Sequence, residues 1–205
     1  VDRTIKNVII RHTQLRWPIP KNLKQILAKQ QINYITRRGK YLLLECERGW
    51  LIIHLGMSGH LRILSESHPP QKHDHVDLVL GETCLRFTDP RRFGAVLWHA
   101  NEDGDIEQHA LLRHLGVEPL QCEDLGQRLH RESRQRSSAI KQVLLAGDIV
   151  VGVGNIYACE SLFHARIHPN TSARRISAEA DSNPNSTRMP GRISGLTATH
   201  RRTGK

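Results

Sequence analysis

The sequence predicts an α+β fold, with a strand-rich first half that reads as a sandwich or barrel and a helical second half. Three observations carry this. Eight short runs rich in β-branched or aromatic residues lie between Thr4 and His99. Turn residues separate them, at Arg48-Gly49, Ser58-Gly59, Gly81 and Asp89-Pro90. From Ile106 onward, apolar residues recur at helical spacing and glycines follow them as stops. The 205 residues suit one large domain or two small ones and can bury a real core.

The first run, TIKNVIIRH (4–12), is a strand. A helix follows, with Pro20 in its first turn and Leu23, Ile26 and Leu27 as its apolar stripe. QINYITRR (31–38), KYLLLECE (40–47), WLIIHL (50–55) and LRIL (61–64) are the next strands. HVDLVL (75–80) alternates at Val76, Leu78 and Leu80, and TCLRFT (83–88) and GAVLWH (94–99) complete the set. In IEQHALLRHLG (106–116), the positions Ile106, Leu111, Leu112 and Leu115 predict a helix stopped by Gly116. CEDLGQRLHRE (122–132) predicts a weaker helix, and SSAIKQVLLAG (137–147) one with a serine cap and a Gly147 stop. In VVGVGNIYACESLFHARIHP (150–169) a helix runs from about Asn155 to Ala165, with Ile156, Cys159 and Phe163 inward and Pro169 at the exit. From Ala178 the chain is polar, basic and without period, and reads as a disordered tail.

The net charge is +10 and the pI about 10.0. Residues 1–48 carry eleven Lys or Arg against three acids, and Arg128 to Lys141 carries five against one. Such clustering favours a polyanion, most simply nucleic acid. With 4% aromatic residues, the stacking platform of RNA-binding modules is not provided. No apolar run reaches the ~20 residues of a membrane span, and VDRTIKNVII lacks the parts of a signal peptide. Cys46, Cys84, Cys122 and Cys159 lie far apart without a Cys-x-x-Cys pair, so a zinc finger is not encoded. They read as reduced, mostly buried thiols of a cytoplasmic protein.

Several stretches carry chemistry. The glycine turn before Asn155 lacks the third glycine of a dinucleotide fold and the Gly-Lys-Ser/Thr of a P-loop. What remains is helix, extended turn, helix, with amide groups that suit one backbone phosphate. Asn155 either caps that helix or turns its amide to the anion, and Lys141 adds charge nearby. HLGMSGHLRI (54–63) places Met57 on a hairpin tip, either folded back onto the core or exposed as a wedge. TDPRRFGAV (88–96) offers Arg91, Arg92 and Phe93 on a second loop, where Phe93 is either tucked inward or presented. An apolar wedge, a cation and an aromatic suit a protein that opens a duplex and fills the gap. RRGKYLLLE (37–45) sets Arg37, Arg38 and Lys40 at the mouth of a buried strand, for phosphate contact or proton transfer by Lys40. In HDHVD, His73 and His75 would face one way on a strand, but no third ligand stands at a telling spacing, so no metal is expected.

Together, QLRWP (14–18), RRGKYLLLE, WLIIHLGMSGHLRIL, KHDHVDLVL, TDPRRFGAVLW, HLGVEPL, AIK and VVGVGNIYACESLFHARIHP resemble the bacterial formamidopyrimidine-DNA glycosylase family, in family order and over nearly all of residues 1–175. The resemblance implies a two-layer β-sandwich over residues 1–113 and a helix-two-turns-helix DNA-binding domain over 114–177, with double-stranded DNA between them. It implies excision of oxidised purines by base flipping, then strand cleavage by β,δ-elimination, in a protein expected to be monomeric. The family's void-filling trio falls on Met57, Arg91 and Phe93, and its lysine of the β-elimination step on Lys40. DNA-contact positions fall on His73, Arg91, Arg136, Lys141 and Asn155, with His54 as a further phosphate contact.

Two departures follow. The family begins Pro-Glu-Leu-Pro-Glu, with the proline amine as nucleophile and the glutamate as an acid; this chain begins at Val1, at a point after that first helix. The family ends in a four-cysteine zinc finger; here no cysteine follows Cys159, and residues 178–205 stand in its place. The chain therefore reads as truncated at both ends, with no zinc and no base excision of its own, and the alternative is a non-catalytic damaged-DNA-binding remnant.

Overall fold

The computed structural model describes residues 2–177. The tail expected over 178–205 lies outside the described residues. The chain divides into two compact units, one ending at Arg113 and one beginning at His114.

In the first unit, strands β1 (Arg3–Thr4), β2 (Asn7–Ile10), β3 (Gln31–Arg38), β4 (Tyr41–Cys46), β5 (Gly49–His54), β6 (His60–Ser65), β7 (Asp74–Val79), β8 (Thr83–Thr88) and β9 (Ala95–Ala100) form two antiparallel sheets. One runs β1-β3-β4-β5-β9 and the other β2-β7-β8-β6. The single strand expected over 4–12 is thus two strands. The Ile5 amide donates to Gln30, just before β3 of the first sheet, and the Lys6 amide to Val79 of the second, so the chain changes sheet there. Ile5 is buried at this corner and joins both layers.

The two inner faces share one core. Leu44, Leu51, Ile53 and Val96 from the first sheet meet Val8, Val76, Leu78 and Phe87 from the second. Short helix α1 (Leu23–Leu27) adds Leu23 and Leu27, in the place the sequence predicts. Such interdigitated inner faces make a two-layer sandwich, which decides between the sandwich and the barrel.

The outer face of the first sheet is also apolar, since Leu43 and Ile52 are buried there. The chain from 101 to 113 is tied to this sheet by the edge-on contact of His109 with His99 and the Arg38–Glu107 ion pair. The helix expected over 106–116 does not form. Ile106–Gln108 is a single 3₁₀ turn and His109 is extended after it. The Asp105 carboxylate caps this turn through the Glu107 amide, but the His109 Nδ1 accepts the Leu111 amide, a donor that a continuing helical ladder needs. Leu112 alone of the predicted stripe is fully buried.

The second sheet carries buried charge. Arg86 lies between Asp77 (2.8 Å) and Asp74 (3.4 Å), and its guanidinium also donates to the carbonyls of His68 and Pro69. Burial alone would raise both carboxyls. For Asp74, the Gln71 amide, the Thr88 hydroxyl and Arg86 hold the group below its ordinary value; for Asp77, Arg86 and Arg11 do so.

In the second unit, helices α2 (Leu125–Ser133), α3 (Ile140–Ala146) and α4 (Asn155–His164) surround a core of Leu129, Ile140, Leu144, Ile149, Ala158 and Leu162. Gly147 closes α3 in the left-handed region, as its sequence position predicts. The expected serine cap is absent: Ala139 is the cap residue, and the first α3 amides donate to the carbonyls of Thr171 and Pro169. Between α3 and α4 the chain lies beside Gly116-Val117, through Gly116 to Gly147 and Val151 to Val117 hydrogen bonds. Helix α4 forms where expected but turns the other way. Ile156, Cys159 and Phe163 are exposed, and Ala158, Ser161 and Leu162 are buried.

Candidate nucleic-acid interface

The β5–β6 and β8–β9 connections carry the predicted wedge residues, and the structure joins these two loops. Gly56 has φ +66, and a Cβ on it would stand 2.6 Å from the Phe93 carbonyl carbon and 2.7 Å from the Gly94 nitrogen. Gly94 is as tight: a Cβ there would meet the His54 carbonyl oxygen at 2.6 Å. Glycine at both positions lets the backbones touch.

Asp89, which the sequence shows only as part of a turn, fastens the contact. Its Oδ1 accepts the Ser58 hydroxyl at 2.6 Å and the Arg91 amide at 3.3 Å, and its Oδ2 accepts the Gly94 amide at 2.8 Å. Asp89 is fully buried, which alone would raise its carboxyl. The Ser58 hydroxyl and the amides of Gly94, Arg91 and Arg92 hold it below its ordinary value, so it is an anion at neutral pH.

The clasped loops present their long side chains outward. Met57 is 74% exposed, so it does not fold back onto the core. Phe93 is 43% exposed, and the Arg91 guanidinium carbon lies 4.6 Å from its ring centroid. The tucked-in alternative for Phe93 therefore does not hold. The cation–π contact keeps a positive charge and an aromatic face together. Arg92, at φ +57, turns the other way and meets the His12 Nε2 at 2.7 Å.

Next to this wedge lies a cationic edge. Lys40 is exposed in the tight turn between β3 and β4. His54 pairs across the sheet with Tyr41 and Ala95, and its ring lies 4.9 Å from that of Tyr41. Burial, then the positive charges of Arg16 and Lys40, hold the His54 imidazole below its ordinary value. Burial raises the Tyr41 hydroxyl, and Arg16 opposes that. The Arg16 amide donates to the Gly94 carbonyl, which places that segment beside the wedge as well.

His73 and His75 do not form a pair on one strand face. Strand β7 begins at Asp74 and its register slips between Asp74 and Val76. His75 is buried and its Nε2 donates to the Asp89 carbonyl at 2.7 Å, so this ring supports the loop and faces no solvent anion. His73 is half-buried, and its carbonyl accepts the Asp89 amide. Among the described residues no three His, Cys, Asp or Glu side chains gather as a metal site. With no cysteine after Cys159, the residues present do not fit a four-cysteine zinc finger. Cys46 and Cys84 are buried as expected, whereas Cys122 is half-buried and Cys159 exposed. No helix among the described residues is long and apolar enough to cross a membrane.

In the second unit, Asn155 is the first residue of α4 and is exposed. It does not cap the helix: Gly154 is the cap residue, no side chain binds the first amides, and the Asn155 Oδ1 lies 3.9 Å from the Cys159 sulfur. Lys141 lies half-buried in the first turn of α3. Arg136 is half-buried and paired with Asp148 at 2.7 Å.

Known proteins share both units. The family model described as the formamidopyrimidine-DNA glycosylase N-terminal domain matches residues 1–96, and that described as its H2TH domain matches residues 115–182. The formamidopyrimidine-DNA glycosylase of Janthinobacterium sp. (strain Marseille) is 65% identical over 174 residues, which is 85% of this chain and 64% of that protein. The Herminiimonas arsenicoxydans protein of the same name is 62% identical over the same shares. The chain thus spans 64% of the length of these curated relatives. Among solved structures, Lactococcus lactis formamidopyrimidine-DNA glycosylase, non-covalently bound to DNA containing an AP site, matches with a TM-score of 0.78 and 30% identity, over 86% of this chain and 68% of that one. The shared sandwich and helical unit, with a relative aligned over most of its own length, place this chain in the formamidopyrimidine-DNA glycosylase family.

Proposed function

We propose that this chain is the duplex-gripping and duplex-opening part of a DNA repair glycosylase that acts on oxidised purines. The observation that carries the reading is the clasp around Asp89, which holds a thioether, a guanidinium and an aromatic ring on two adjoining loops. A protein that works on a base must take it out of the stack, and the remaining gap costs a few kcal/mol unless it is filled. Met57 and Phe93 supply apolar filling, and Arg91 supplies donors to the bases left behind. The related Lactococcus lactis protein has been solved with DNA containing an abasic site and with DNA containing a Fapy-dG lesion, which supports a substrate of this kind.

Around the wedge, Lys40 contacts phosphate and moves protons in the β-elimination step, and His54 and His73 contact the backbone. In the second unit, the uncapped amides of α4 and the Asn155 side chain receive a phosphate, with Lys141 adding charge. Arg136 is a weaker contact, because a phosphate must compete with Asp148 for it. The protein acts as a monomer on one duplex. In the complete enzyme an N-terminal proline amine attacks C1′ and expels the base.

Titration of the purified chain against an abasic-site duplex at rising salt tests the grip. If about six phosphates are contacted, affinity falls about a thousandfold between 50 and 200 mM salt. Affinity that barely changed would end the reading.

A further inference from the structure

Resting on that reading, we propose that His54 is a positioning residue for the wedge, whose Nδ1 lone pair anchors the Met57 loop while its Nε2–H faces the DNA backbone. The Gly56 amide lies 3.1 Å from the His54 Nδ1. An amide nitrogen can only donate, so Nδ1 must carry a lone pair, and the proton of the neutral ring is on Nε2. The ring is held for this task. It lies against Tyr41 with ring centroids 4.9 Å apart and planes tilted by 40°, and its backbone is paired with Tyr41 and Ala95.

The anchored atom is well placed to matter. Gly56 immediately precedes Met57, and its backbone lies against Phe93 and Gly94 of the second loop. The β5–β6 connection is not the hairpin the sequence suggests, since it passes from one sheet to the other, and the Asp89 clasp holds its far side through Ser58. His54 holds the near side, through Gly56. Met57 is thereby fixed from both neighbours. Protonation of Nδ1 would set two donors face to face and release the near side. The charged groups that act on the ring are Arg16, from the chain beside Gly94, and Lys40, from the β3–β4 turn. Both disfavour that protonation, and the neighbouring Tyr41 is an uncharged phenol at neutral pH.

Two variants separate the roles of the ring nitrogens. Asparagine puts an acceptor near the Nδ1 position, and glutamine puts a donor near Nε2 without that acceptor. The readout is 2-aminopurine fluorescence beside an abasic site, measured at saturating protein so that affinity does not enter. H54Q is expected to lower the unstacking amplitude by about twofold to tenfold, the population change for one lost hydrogen bond. H54N is expected to restore most of it. Equal amplitudes for H54Q and H54N would overturn the inference. M57A is the control on the reading beneath it: an undiminished amplitude in M57A would sink the wedge itself, whatever His54 does. Long-range 1H–15N spectra of the DNA-free chain give an independent check. They are expected to show the Nε2–H tautomer for His54, and an Nδ1–H tautomer would refute the anchor.

Discussion

Replacing Asp89 by alanine removes the acceptor that joins the two wedge loops. The short bonds from Ser58 at 2.6 Å and Gly94 at 2.8 Å are charge-assisted, and the Arg91 bond at 3.3 Å is long enough to neglect. Bonds of this kind are worth about 1.5–3 kcal/mol each. The Ser58 hydroxyl can turn to water once released, but the Gly94 amide is buried and stays unpaired, at about 1–3 kcal/mol. Recovering the carboxylate's desolvation offsets several kcal/mol. The net expectation is a loss of about 3–4 kcal/mol for Asp89→Ala and about 1–2 kcal/mol for Asp89→Asn, which keeps one acceptor. Urea unfolding followed by tryptophan fluorescence is the assay, because Trp17, Trp50 and Trp98 all lie in the first unit. The pH dependence supplies a second check. The folded carboxyl is held below its unfolded value, so its stabilisation is complete above the unfolded pKa of about 4 and is lost as pH falls through the lower folded pKa. The gap between the native chain and Asp89→Ala should therefore be constant from pH 5 to 8 and narrow below about pH 4. A variant within about 1 kcal/mol of the native chain, with full duplex opening, would refute the clasp.

Three further outcomes follow from the packing. Arg86→Met takes the shared buried cation from Asp74 and Asp77, leaving Asp77 with Arg11 and Asp74 with its Gln71 and Thr88 bonds, and is expected to cost about 3 kcal/mol of unfolding free energy in urea titrations. Asn155→Ala is expected to change thermal stability by less than about 0.5 kcal/mol, because the side chain caps nothing, yet to weaken DNA binding in fluorescence anisotropy. A loss of about 1 kcal/mol in stability would restore the capping role. Leu162→Ala is expected to cost about 2–4 kcal/mol and Phe163→Ala under about 0.5 kcal/mol, a contrast that calorimetry reads directly.

The sequence carried the strand-rich half well because period-two alternation and glycine turns are local signals, but they left sandwich or barrel open. It missed the break at Ile5 because nothing local says that a strand will leave one sheet for another; that depends on Gln30 and Val79, far along the chain. The 106–116 segment failed for a related reason. Its leucine spacing is helical, but His109 is extended and its ring takes the Leu111 amide, and Leu112 is buried from an irregular chain. For α4 the helix was legible and its orientation was not. Ile156, Cys159 and Phe163 repeat at the same spacing as Ala158, Ser161 and Ala165, and only the second set is buried in its unit. Larger side chains are a poor guide when a tight core admits small ones.

The site shows the same division more sharply. Met57, Arg91 and Phe93 were visible because apolar and aromatic side chains on glycine-rich turns conflict with ordinary turn chemistry. Their union was not visible, since it depends on residues with no chemistry of their own to advertise. Gly56 and Gly94 matter for a missing Cβ, and Asp89 for a carboxylate that looks like any turn aspartate. A duplex-opening device needs rigidity at its base more than at its tip, because a wedge that bends gives back the unstacking it was meant to hold. Exposed side chains on a buried, hydrogen-bonded base meet that need. Met57 and Phe93 stand exposed, whereas Gly56 and Gly94 leave no room for a Cβ and Asp89 no room for a differently charged neighbour.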